Sequence, residues 1–176
     1  MNTATTANGQ RASRGDSRSA KSNFDIYREG GTTRDIRVTV NLVLVARRWR
    51  SLLDERLRLL GQSSARMEAL AAIMNSPWPS SQIDIAKRLR IEGPTMTRML
   101  DTLEADGLVE RIADPSDRRS KHLRLTPTGE AVLEEIFGIV DDLRTRLIAG
   151  LDPEQIVELN SVLATLTGRL DDGLPA

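Results

Sequence analysis

Gly93-Pro94-Thr95-Met96-Thr97-Arg98-Met99-Leu100-Asp101-Thr102-Leu103-Glu104-Ala105-Asp106-Gly107 is the stretch on which the fold turns. Met96, Met99, Leu100 and Leu103 recur at three and four, which predicts a helix with one apolar stripe. Pro94 stands at the first helical position, where its missing N–H costs nothing, and Gly107 ends the helix. With the stripe turned inward, Thr95, Arg98, Asp101 and Thr102 point outward. The chain continues as Leu108-Val109-Glu110-Arg111-Ile112, then Asp114-Pro115-Ser116-Asp117-Arg118-Arg119-Ser120, then Lys121-His122-Leu123-Arg124-Leu125-Thr126. Two short strands around a Pro-Ser-Asp turn predict a hairpin with arginines at its tip.

A polar-faced helix beside such a hairpin suits two grooves of duplex DNA. The helix fits the major groove, where Arg98 is placed to bond guanine O6 and N7, and Thr95 and Thr97 to touch phosphate or a thymine methyl. A tip arginine suits a narrow minor groove, where the potential is most negative, with Asp117 holding it extended. The alternative reading is a solvated helix with an Arg98–Asp101 or Arg98–Thr102 contact and an ordinary charged turn.

Upstream, Ser81-Gln82-Ile83-Asp84 matches a capping box that opens a helix with Ile85, Ala86 and Leu89 on its inner face. Before it, a helix from Ser63 or Ser64 to Met74 is broken by Asn75-Ser76-Pro77-Trp78-Pro79. From Asp35 to Leu60, Ile36, Val40, Val43, Ala46, Trp49, Leu53, Leu57 and Leu60 form a helical stripe, which Val38, Leu42, Val45 and Leu52 broaden. A helix apolar over that much of its circumference is buried on more than one side, as at a subunit interface. Downstream, Thr126-Pro127 starts a long helix carrying Leu133, Phe137, Val140, Leu143, Leu147 and Ile148. Asp152-Pro153-Glu154-Gln155 caps the last one. Residues 1–34 are rich in Ser, Thr, Asn, Gly and Arg and read as a disordered basic tail.

The net charge of zero hides a division. Residues 1–86 carry 13 Lys/Arg against 8 Asp/Glu, residues 87–126 carry 9 against 7, and residues 127–176 carry 3 against 10. An acidic C-terminal part thus offsets a basic reading part. The absence of cysteine excludes disulfides and thiol switching, and the single histidine, His122, excludes a multi-histidine metal site. His122 is expected at the surface or facing phosphate. No metal or other cofactor is expected. No apolar run reaches the length of a membrane span or signal peptide, so a cytoplasmic chain is expected. With no Gly-rich phosphate loop and no paired carboxylates in an apolar pocket, an enzyme is the weakest of the rival readings. A winged helix used only for protein interaction is the stronger rival.

The quoted motifs, from Ile91 to Asp101, Leu103 to Val109 and Asp114 to Arg119 and on through Leu125-Thr126, resemble the MarR family of transcriptional regulators, close to its SlyA-type branch. The resemblance covers residues 35–171. It implies a mainly α fold with a small β-hairpin wing: a winged helix-turn-helix domain (63–126) between an N-terminal dimerisation helix (35–62) and C-terminal dimerisation helices (127–176). It implies a homodimer, probing a pseudo-palindromic double-stranded operator as a repressor. Arg98 takes the major-groove position and Arg119 the minor-groove position. Asp117 and Arg118 match the tip's neighbours, and Ser81, Thr95 and Thr97 match phosphate or base contacts; Pro94 and Lys121 complete the expected DNA surface. A small-molecule effector is implied, such as an aromatic acid or its thioester. Trp49, Arg50, Met67, Met74 and Trp78 are candidates for its pocket wall, with core packing as the alternative.

Overall fold

A computed structural model describes residues 21–114 and 121–174 of the 176. Among these residues seven helices and one hairpin follow in order: α1 Asn23–Arg28, α2 Arg34–Leu57 with a 3-10 turn Arg58–Leu60, α3 Ser64–Met74, α4 Gln82–Leu89, α5 Gly93–Ala105, β1 Val109–Ala113, β2 Lys121–Leu125, α6 Pro127–Leu147 and α7 Pro153–Asp171. The chain divides into two compact units, Met1–Arg47 and Arg48–Ala176, with the boundary inside α2.

In the first unit, the described part of the expected tail carries the short helix α1. Ser22 caps α1 by accepting a hydrogen bond from the Asp25 N–H, and Asp25 then holds Arg28. Local polar bonds suffice for a helix this short, so no apolar periodicity announces it. The tail's residues 1–20 lie outside the described residues. Thr33 opens α2 by accepting from the Ile36 N–H at 3.2 Å. Within α2 the expected stripe is only half covered. Leu53 and Leu57 are buried, whereas Val38, Val40, Leu42, Val43, Leu44 and Val45 are exposed.

In the second unit, the core joins Leu57 and Leu70 to Ile85, Met96, Leu100, Leu103, Leu133 and Ile136, all with essentially no exposure. α6 meets its expectation at Leu133, Val140 and Leu143, but Leu147 is exposed and Ile136 takes a central place. The Asp54 carboxylate accepts from the Ser64 N–H at 2.7 Å, fixing α3's start against α2. That bond, with the Ser64 hydroxyl, holds the Asp54 carboxyl below its ordinary value. Arg66 bridges Gln62 and Asp106, tying α3 to the end of α5.

The strands pair antiparallel, with Val109 opposite Leu125, Arg111 opposite Leu123 and Ile112 opposite His122. Val109, Leu123 and Leu125 face inward, and Glu110 and Arg124 form an outer cross-strand pair at 2.7 Å. The α3–α4 connection adds an edge, since the Leu123 N–H donates to the Ser80 carbonyl. Gly107, at φ 70°, ends α5 in the left-handed region and turns the chain into β1. Gly129 lets α6 begin against that turn. A Cβ there would stand 2.0 Å from the Leu108 carbonyl oxygen. Thr126 completes the junction, donating to the Gly107 carbonyl and capping α6 at the Gly129 N–H. α7 carries the expected Asp152–Gln155 capping box but buries none of its residues.

Candidate nucleic-acid interface

α4 and α5 are set by short-range chemistry. The Ser81 hydroxyl accepts from the Asp84 N–H and donates to the Asp84 carboxylate, which also accepts from the Ser81 N–H at 2.8 Å. These bonds hold the Asp84 carboxyl below its ordinary value. Ser81, expected at DNA, therefore has its hydroxyl committed to the cap. α4 ends at Arg90, a non-glycine residue with φ 54°, whose side chain pairs with Asp171 at the end of α7. An arginine gives no sequence signal for that left-handed turn.

α5 begins after Glu92, which supplies no side-chain cap. Gly93 is its first residue, so Pro94 stands one position later than the sequence reading puts it. The helix's leading N–H groups stay available to an anion. Met96, Leu100 and Leu103 are buried, and Thr95, Arg98, Asp101 and Thr102 are exposed, as the stripe predicts. Thr97 is spent differently from expectation. Its hydroxyl donates to the Gly93 carbonyl and accepts from the Gln82 amide at 2.6 Å, latching α4 to α5. Gln82 has no place in the sequence reading, because a single polar residue in a first turn looks like solvent-facing filler.

Neither local contact foreseen for the Arg98 side chain forms. Thr102 donates to the Arg98 backbone carbonyl. Asp101 turns instead to Arg111 on β1 at 2.7 Å, and Arg111 also grips Glu104. The Arg111 side chain is only 14% exposed. Its burial disfavours the charge, but the bonds to the two carboxylates outweigh that and hold the guanidinium above its ordinary value. Among the described residues, no carboxylate pairs with Arg98.

At the hairpin, Lys121 is exposed at the start of β2. Asp117, Arg118 and Arg119 lie outside the described residues. His122 is not at the surface as expected. Its side chain is 12% exposed, Nε2 lies 2.9 Å from an Asp114 carboxylate oxygen, and the Trp78 ring meets it edge-on at 5.6 Å. Strand alternation misleads here because the α3–α4 connection covers this face of β2.

Of the five residues suggested for an effector pocket, three line cavities among the described residues. Met74 and Trp78 line a cavity of about 180 Å³ with Ile73, Pro77, Leu123 and Glu130. Met67 lines another of about 300 Å³ with Asn75, Arg88, Leu89 and Phe137. Trp49 packs against the core, and Arg50 pairs with Glu68 at 2.7 Å. Periodicity identified these side chains as inward or amphiphilic, but which of them converge depends on how α3, α4 and α6 cross. Among the described residues, no group of three or more His, Asp or Glu could hold a metal ion, and no helix is long and apolar enough to cross a membrane.

Residues 63–121 match the model of the MarR family. The crystal structure of transcriptional regulator PA3341 is 34% identical, with a TM-score of 0.70 over 77% of this chain and 99% of that one. A mutant of MarR from E. coli, solved in complex with operator DNA, is 28% identical with a TM-score of 0.68 over 74% of this chain and 94% of that one. The S. aureus MepR–DNA complex, at 24% identity and a TM-score of 0.68 over 74% of this chain and 96% of that one, shares the fold.

Proposed function

The chain belongs to the MarR family, and from that membership we propose that it is a transcriptional regulator that binds operator DNA as a homodimer and represses until a small anionic effector releases it. The observation that carries this reading is the exposed Arg98, unpaired among the described residues, beside the uncapped start of α5, on a helix braced to the hairpin through Arg111. A braced helix with one free arginine is a rigid probe for the major groove, where bidentate contact with guanine discriminates between bases. Thr95 and Lys121 flank it as phosphate contacts, and Arg119 takes the minor groove, with its sequence neighbours Asp117 and Arg118 orienting it and touching phosphate.

Two apolar surfaces support the dimer. The first half of α2 exposes Val38, Val40, Val43 and Val45, and α7 exposes Val157, Val162 and Leu170. Such stretches on single elements are costly to leave in water, and a second copy covers them. For the effector, the cavity lined by Met67, Glu68, Arg88, Leu89 and Phe137 combines an apolar wall with Arg88 as its cation, while its one carboxylate, Glu68, is held by Arg50, which suits an aromatic acid or its thioester.

The test is DNA binding by anisotropy across a salt series, using the region upstream of the protein's own coding sequence. Affinity falling by orders of magnitude between 50 and 200 mM salt is expected from several phosphate contacts. Weak, salt-insensitive binding would instead favour a winged helix that serves protein interaction. Release by an aromatic acid, abolished in Arg88→Ala, tests the effector cavity.

A further inference from the structure

Arg98 and Asp101 are three residues apart on the exposed face of α5, the spacing at which an arginine and a carboxylate on one helix meet. Asp101 is also the sole acidic residue within one helical turn of Arg98 on either side. Left to itself, this pair would close, and the arginine meant for a base edge would be spent on its neighbour. The pair is open because Arg111 reaches across from β1 and takes the Asp101 carboxylate at 2.7 Å, anchoring its other nitrogen on Glu104. Arg111 is well placed to win this competition. Its guanidinium is largely shielded from water and serves two carboxylates at once, whereas an Arg98–Asp101 pair would be single and exposed, and so weak.

We propose that Arg111 is a positioning residue for DNA reading, which sequesters Asp101 so that Arg98 remains free for a base. It also shields phosphates from two acidic groups on the reading helix. The proposal rests on the DNA-binding reading above and assigns no DNA contact to Arg111 itself.

Five variants test it: Arg98→Ala, Arg111→Ala, Asp101→Asn, the charge-removing double variant Arg111→Ala/Asp101→Asn and the combination Arg98→Ala/Arg111→Ala, each checked for thermal unfolding and oligomeric state. Affinity and base preference are then measured by anisotropy and binding-site selection. Arg98→Ala should lose about tenfold in preference at one position per half-site. Arg111→Ala should lose preference at that same position, and adding Arg98→Ala to it should cost little more. The double variant should regain the preference, since asparagine carries no charge to capture Arg98. Asp101→Asn alone should bind at least as tightly as wild type, which keeps the proposal testable even where Arg111→Ala folds poorly. A double variant as defective as Arg111→Ala, or an Asp101→Asn that loses Arg98-dependent preference, overturns the proposal while leaving the DNA-binding reading intact. Arg98→Ala indistinguishable from wild type also overturns the proposal, whereas weak, salt-insensitive binding by the wild-type protein overturns the DNA-binding reading itself, so the two failures are distinguishable.

Discussion

Arg98 and Gly129 illustrate two ways in which one residue bears on the whole. Arg98 is exposed and, among the described residues, unpaired, so its removal should leave stability within about 0.5 kcal/mol of wild type. Its effect should fall on recognition, relaxing base preference at one position per half-site by about 1–3 kcal/mol. Binding-site selection that returns the wild-type motif for Arg98→Ala contradicts this. Gly129 is the converse. A methyl group there meets the Leu108 backbone carbonyl at 2.0 Å, so the turn before β1 or the start of α6 must shift. Gly129→Ala should cost ~1–3 kcal/mol in chemical denaturation. An unchanged midpoint would mean that the junction is looser than its geometry. At the wing tip, Arg119→Ala should weaken operator binding by about 1 kcal/mol or more, with the greatest loss on AT-rich flanks, as gel shifts on operators with altered flanks would reveal.

The helix-turn-helix element depends on polar bonds at its ends as much as on its apolar stripe. Ser81 caps α4, so Ser81→Ala should cost ~1 kcal/mol of stability and leave base preference unaltered. A loss of affinity without a fall in melting temperature would return Ser81 to the DNA surface. The same caps give a pH dependence. Asp84 and Asp54 are held below the ordinary value of 3.8 in the folded chain. The folded state therefore retains the ionised carboxylates more firmly than the unfolded one. Their contribution is complete above about 3.8 and drains away as pH falls through the lower folded values. Equilibrium unfolding from pH 5 to pH 2.5 should show a shallower acid loss for Asp84→Asn than for wild type. Capping boxes are legible in sequence because their partners are three residues apart. The Gln82–Thr97 latch, between residues on two helices, is not.

For the whole molecule, the exposed valines of α2 and the unburied α7 carry the dimer proposal. Val43→Glu and Val157→Glu should each shift sedimentation toward the monomer, since a charge at an apolar interface is left without a partner. Sedimentation unchanged in both would remove these surfaces from the assembly. Two-fold symmetry would set the recognition helices about 34 Å apart, so operator half-sites should lie roughly 10 bp centre to centre, which footprinting measures.

The sequence by itself determined the order of the elements from α2 onward, the inward stripe of α5, the caps at Ser81 and Asp152 and the outward position of Arg98. Each follows from residues within a turn or two of one another, where periodicity and capping chemistry act. Through the motif from Ile91 to Thr126 it also carried the family. Tertiary structure alone decided which of the outward residues are free. Thr97 is taken by the Gln82 amide from α4, His122 meets the Trp78 ring edge-on, and Asp101 turns to Arg111 ten residues away. It also decided that Met67 and Met74, seven residues apart on α3, line different cavities. A side chain's partner is set by whichever group the packing brings within reach, and burial strengthens that choice by removing the competing water.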